Sequence, residues 1–178
     1  GEIVRDWPRF THTILKWENP TSQSVQEEAR RARYGLMAEY CALHEISYLF
    51  LGHHRNDQAE TVLFRLAKGS GLDGLCGMRA VSRYNKNLIL LRPLLRVDKA
   101  DLVAFCDAQG LAFIDDPSNE NTDFARVRLR EAAEVLEREG LSAKRLSVTA
   151  DRLFRARVAL DVIAGRAYGD AVLINDSD

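Results

Sequence analysis

The chain has 178 residues, of which 46% are hydrophobic and 29% charged, with a formal net charge of −1. This is enough for one moderate domain with a buried core, or one domain plus a small helical appendage, and it excludes a disordered chain. Near neutrality also means that any nucleic acid must be met by a local basic patch rather than by a basic whole.

The three cysteines, Cys41, Cys76 and Cys106, are scattered and form no CxxC pair. That pattern favours buried free thiols in a reducing compartment over a disulfide framework or a zinc knuckle. No signal peptide is visible and no apolar run approaches the roughly 20 residues of a membrane span, so no membrane is expected and the expected location is the cytoplasm.

In chain order, Thr11 to Trp17 (THTILKW) reads as a short strand. The loop NPTSQS follows, with Ser22 or Ser24 available to cap the next helix. From there Val25, Ala29, Ala32, Leu36, Tyr40 and Leu43 recur at helical spacing, and Arg30, Arg31 and Arg33 fall mostly off that stripe. Ile46 to Gly52 (ISYLFLG) is a continuous apolar strand of the kind covered on both faces in a parallel sheet. The next helix carries Ala59, Val62, Leu63, Leu66 and Ala67 on one face and ends in the glycine-rich KGSGLDGLCGM. Asn87 to Leu91 (NLILL) is a second buried-type strand, stopped by Arg92-Pro93. A helix from about Lys99 to Gln109 leads through Gly110 to LAFID and the turn-rich DDPSNENT. From Asp123 to about Gly169 the pattern is helical throughout, with no strand signal before AVLI.

Alternating strands and helices followed by helices alone imply an α/β fold built on a parallel sheet, with a helical extension. The expected division is residues 1–122 for the α/β part and 123–178 for the extension.

Three stretches carry candidate chemistry. In FLGHHRNDQAET, a strand and a glycine lead into His53, His54, Asp57 and Glu60. Ligands of open α/β sheets sit beyond the carboxyl ends of the strands. Asp57 and Glu60, at i and i+3, share one side of the helix away from its apolar stripe, and Glu60 is expected at an exposed helix-start position. Acidic residues in a first turn also complement the helix dipole. HExxH is absent, so a zinc-protease site is disfavoured, whereas paired carboxylates suit a hard cation such as magnesium, or an amine.

The second stretch, GSGLDG (Gly69 to Gly74), satisfies GxGxxG but follows a helix, so it fails the dinucleotide fingerprint. It reads as a helix stop and tight turn, or as a point of close backbone approach to a substrate. In the third, DPSNENTDFARVRLR, Arg126 and Arg130 lie at i and i+4 and share a helix face able to grip phosphate. A solvated face paired with Glu131 and Glu134 is the alternative.

Taken together and in order, RRARYGL, HHRNDQAET, GSGLDGLCGM, RPLL and DPSNENTDFARVRLR resemble the catalytic domain of the bacterial tRNA(Ile)-lysidine synthase family. These are adenylating enzymes of the PP-loop, or N-type ATP pyrophosphatase, class, with an adenine nucleotide α-hydrolase-like fold. The resemblance implies ATP with Mg2+, a tRNA(Ile) with a CAU anticodon and free L-lysine as the reacting partners, with no statement about oligomeric state. It implies that ATP adenylates C2 of the wobble cytidine and that the lysine side-chain amine then displaces AMP. By the family motif, Asp57 and Glu60 hold the lysine amine and Asp57 helps to place magnesium. His53 sits beside the reacting nucleotide. Arg33, Arg126 and Arg130 neutralise phosphates, and Gly69 and Gly71 approach the nucleotide.

Some positions depart from the family pattern. Asn56 stands where Asp is common, and Val127 where Asn often follows the first arginine. The SGGxDS loop whose amides cradle ATP phosphates occurs nowhere in the sequence, so these residues are expected to form an incomplete, inactive portion of such an enzyme. Competing readings are another PP-loop tRNA-modifying or amidotransferase-type ligase, or a tRNA-binding segment without catalysis. Thiolation would call for a CxxC pair or an exposed catalytic cysteine, and the three cysteines provide neither pattern.

Overall fold

The structure is a computed structural model, and it describes residues 8, 10–18, 25–113, 128–129 and 132–172. In chain order the elements are α1 (Val25–Leu43), β1 (Tyr48–Phe50), α2 (Arg55–Ala67), α3 (Leu72–Leu75), β2 (Val81–Arg83), β3 (Ile89–Leu91), α4 (Lys99–Ala108), α5 (Ala133–Arg138) and α6 (Ala143–Ala171). They fall into two compact units. The first comprises Gly1–Gly52, Ala80–Pro93 and Ala100–Ile114; the second comprises His53–Arg79, Leu94–Lys99 and Asp115–Asp178.

In the first unit the sheet order is β1-β3-β2. β1 pairs parallel to β3, with Tyr48 opposite Ile89, and β2 pairs antiparallel to β3, with Ser82 opposite Leu90. The sheet is therefore mixed rather than parallel throughout. Its extra member is a hairpin strand that the sequence reading passed over. The hairpin turn is tied by Asn85, whose Oδ1 accepts from the N–H groups of Asn87 (2.9 Å) and Leu88 (2.8 Å). The N–H of Tyr84 donates to the Leu88 carbonyl at 2.9 Å. Such an Asx turn reverses the chain without a glycine.

The core of this unit joins Cys41, Leu88 and Leu90, with Tyr34, Ala38, Leu49 and Leu51 packed against them. The sheet-facing line of α1 is thus Tyr34, Ala38 and Cys41, at i, i+4 and i+7, and not the stripe ending at Leu43, which is 79% exposed. β1 is an edge strand, with Tyr48 56% and Phe50 67% exposed, so the expected cover on both faces is absent among the described residues. Residues 11–17 form no strand. An extended segment becomes a strand only through a ladder partner; here Thr13 instead shares a hydroxyl hydrogen bond with Tyr40 at 3.1 Å. Residues 111–113 are also not a strand, and the rest of LAFID lies outside the described residues, as do Ser22 and Ser24.

The second unit is helical. Ala59 and Val62 of α2 pack against Leu146 and Ala150 of α6, with Leu63 and Ala143 at the margin. The expected continuous extension breaks at Gly140, and α6 restarts with Ser142 as N-cap, its hydroxyl accepting from the Arg145 N–H at 3.3 Å. Polar contacts from α6 hold the glycine loop. Arg157 pairs with Asp73, and the Arg79 guanidinium lies 4.8 Å from the Phe154 ring centre.

Candidate functional site

The start of α2 is built by a reciprocal cap. The His54 N–H donates to Asp57 Oδ2 at 2.9 Å, and the His54 Nδ1 accepts from the Asp57 N–H at 3.4 Å. This is the capping-box arrangement, with histidine in the place usually held by Ser or Thr. Nδ1 can accept only when its proton is on Nε2, so the cap selects that tautomer of neutral His54. The same Nδ1 lies 3.4 Å from Asp57 Oδ2.

Flanking residues fix this turn from outside. The Arg55 N–H donates to the Val97 carbonyl at 3.0 Å, and its guanidinium pairs with Asp98 and the Arg96 carbonyl. Asn56, the departure from the family's Asp, accepts the Lys99 N–H at 3.1 Å.

Gln58 through Val62 are all buried, so this stretch of α2 is enclosed around its whole circumference. Glu60 is 9% exposed, which corrects the expectation of a solvent-facing helix start. The correction has a physical reason: the polar side of an amphipathic helix faces solvent only where nothing else packs on it. The Asp57 side chain keeps 24% of its exposure, and His53 is half-buried.

The glycine loop answers its own alternatives in part. After Lys68, the Gly69 N–H donates to the Leu66 carbonyl at 2.9 Å, and the Ser70 N–H to the Arg65 carbonyl at 2.9 Å. With Gly69 at φ +70°, this is a Schellman helix stop. Gly71 begins α3. A Cβ built at either glycine would meet nothing within 4 Å. Arg65 Nη1 donates back to the carbonyls of Gly74 (2.8 Å) and Gly77 (3.0 Å).

His53, Asp57, Glu60, Gly69 and Gly71 thus all belong to the second unit. Arg33 is exposed on α1 in the first, and Arg126 and Arg130 lie outside the described residues. Sequence reasoning missed His54 as a cap and Gln58 and Arg65 as organisers of the glycine loop. An acidic residue three positions after the cap residue was the available signal for the cap.

Among the described residues no group of three or more His, Cys, Asp or Glu side chains could hold a metal ion. The described residues by themselves therefore do not form a resident metal cage. A magnesium ion carried by ATP needs only one or two protein carboxylates, the rest of its shell being phosphate and water, and a part-exposed Asp57 fits that lesser role.

The sequence of residues 8–137 matches the PP-loop domain family. The chain belongs to that family. It is 43% identical over 160 residues to the tRNA(Ile)-lysidine synthase of a Bradyrhizobium species, covering 89% of this chain and 44% of the relative. It is 45% identical over 157 residues to the protein of the same name from Methylobacterium nodulans, covering 88% and 46%. The Ruegeria pomeroyi tRNA(Ile)-lysidine synthase is 38% identical over 168 residues, covering 94% and 40%. The chain spans less than half the length of these relatives. No helix among the described residues is long and apolar enough to cross a membrane.

Proposed function

We propose that the chain carries the lysine-side and part of the nucleotide-side machinery of a cytoplasmic tRNA(Ile)-lysidine synthase. The observation that carries this reading is similarity to proteins of that name along nearly nine-tenths of the chain. The α2 start supports it, because it offers two carboxylates one turn apart, one buried and one part-exposed.

In this reading the C2 oxygen of the wobble cytidine, in a tRNA(Ile) with a CAU anticodon, attacks the α-phosphate of ATP and pyrophosphate leaves. The lysine side-chain nitrogen then attacks C2 and AMP leaves. An ammonium must lose a proton before it can attack, and in this reading the carboxylates that bind it accept that proton. Asp57 and Glu60 take the lysine ammonium, and burial of Glu60 strengthens its field by excluding water. His53 contacts the reacting nucleotide, and Arg33, Arg126 and Arg130 neutralise phosphate charge. Open space at Gly69 and Gly71 allows close approach of substrate to the backbone. Asp57 would be the protein carboxylate for a magnesium ion brought with ATP, which would supply charge neutralisation at the phosphates.

The test is incorporation of labelled lysine into a tRNA(Ile) transcript with a CAU anticodon, in the native chain to which this sequence belongs. Incorporation should require ATP and magnesium and should fall by orders of magnitude in Glu60→Gln. Lysine-independent modification, or sulfur transfer in its place, would refute the reading. A thiolating PP-loop enzyme is disfavoured by burial of Cys41 and Cys76, which leaves only Cys106 part-exposed.

A further inference from the structure

The sheet-facing line of α1 does not stop at Tyr34. One turn earlier it reaches Arg30 and Arg31, so the helix aims guanidinium groups along the same side that packs its core. There they line a cavity of about 390 Å³ together with Tyr34, Tyr84, Leu90 and Arg92. The cavity lies wholly within the first unit. Three of its six lining residues are arginines and none is acidic.

Arg92 is 7% exposed, and its Nη1 donates to the Ser82 hydroxyl at 2.9 Å across the β2–β3 pair. Its backbone N–H donates to the Ala80 carbonyl at 2.8 Å. Tyr84 stands on the Asx-tied hairpin and stacks on Tyr34, with ring centres 6.0 Å apart and planes at 22°. The Arg30 guanidinium lies 5.2 Å from the Tyr34 ring centre. Tyr84 remains 42% exposed, so part of its ring is open to a further stacking partner.

We propose that this cavity binds one phosphorylated nucleoside, its base stacked on Tyr84 and its phosphate held by Arg30, Arg31 and Arg92. Planar guanidinium forks match phosphate oxygens, an aromatic ring accepts any base face, and the volume falls in the range of small-ligand sites. Fixed partners hold Arg92 and Tyr84 before a ligand arrives, which lowers the ordering cost of binding. The inference does not depend on the lysidine reaction. The nucleotide is either a free mononucleotide or one unit of single-stranded RNA, and the two sources are separable.

Fluorescence anisotropy of a labelled single-stranded RNA oligonucleotide, titrated with the 178-residue chain at several salt concentrations, tests it. AMP and inorganic phosphate serve as unlabelled competitors. Tyr84→Ala should weaken binding about tenfold, and Tyr84→Phe, which keeps the ring, should restore it. Arg30→Gln combined with Arg31→Gln should weaken binding and lower the salt slope by about one per lost phosphate contact. Displacement by AMP supports the mononucleotide source. Variant-sensitive RNA binding that AMP does not displace supports the RNA source. Absence of binding by both the RNA and a fluorescently labelled AMP, equal binding by all variants, or inorganic phosphate competing as well as AMP with no effect of Tyr84→Ala, would each overturn the proposal. These side chains are exposed or at the cavity rim, and matching circular-dichroism melts confirm that the variants fold.

Discussion

Gly77→Ala tests the packing of the loop that follows α2. Gly77 has φ +65°, and an added Cβ would lie 2.7 to 2.8 Å from the Nε2, Cδ and Oε1 atoms of Gln58. That amide is buried and held on both sides: Nε2 donates to the Met78 carbonyl at 2.9 Å, and Oε1 accepts the Met78 N–H at 2.7 Å. The methyl group therefore fits only if Gln58 moves and both hydrogen bonds break. The left-handed backbone costs an L side chain about 1 kcal/mol, toward the lower end of the usual range. The two bonds add about 1 kcal/mol each, so Gly77→Ala should lose about 3 kcal/mol. Urea unfolding followed by far-UV circular dichroism reads the loss. The discriminating measurement is a double-mutant cycle. In a Gln58→Ala background the clash is gone, and Gly77→Ala should cost only about 1 kcal/mol, a coupling of about 2 kcal/mol. Equal costs in the two backgrounds would refute the reasoning.

Glu60→Gln keeps the shape of a buried side chain while removing its charge, so it should abolish lysine incorporation with the fold intact. Glu60→Ala should also destabilise beyond the roughly 0.5 kcal/mol typical of surface positions, a comparison that urea melts supply. Replacing Arg126 and Arg130 with alanine should weaken tRNA binding and reduce its salt slope by about one per lost phosphate contact; an unchanged slope would return the pair to surface charge. Burial pushes the Cys41 thiol above its ordinary range, so Cys41 should alkylate more slowly than part-exposed Cys106 in mass-spectrometric time courses. The sign follows for stability as well: the folded chain favours the protonated thiol, so this contribution is complete below the ordinary thiol pKa and is lost as pH rises from there through the raised folded value.

Much of this protein was legible in order and type. Periodicity marked α1, α2 and α4, the apolar runs marked β1 and β3, and the arrangement of short motifs pointed to the PP-loop class. Those signals are local, because a helix repeat or a strand–glycine–acid sequence is written in neighbouring residues. The hairpin strand β2 was also locally encoded, in an Asn-Lys-Asn turn between apolar ends, but the glycine-rich stretch before it drew the reading toward loop.

Tertiary structure decided which faces count. It turned the sheet-facing line of α1 toward Tyr34, Ala38 and Cys41, and so brought the exposed Arg30 and Arg31 to the rim of the cavity. It enclosed Glu60, and it made Asn56 and Gln58 tie points for distant backbone. It also left Thr11 to Trp17 without a ladder. Burial and strand pairing depend on what packs from elsewhere in the chain, and a residue's own neighbours in sequence carry no record of that.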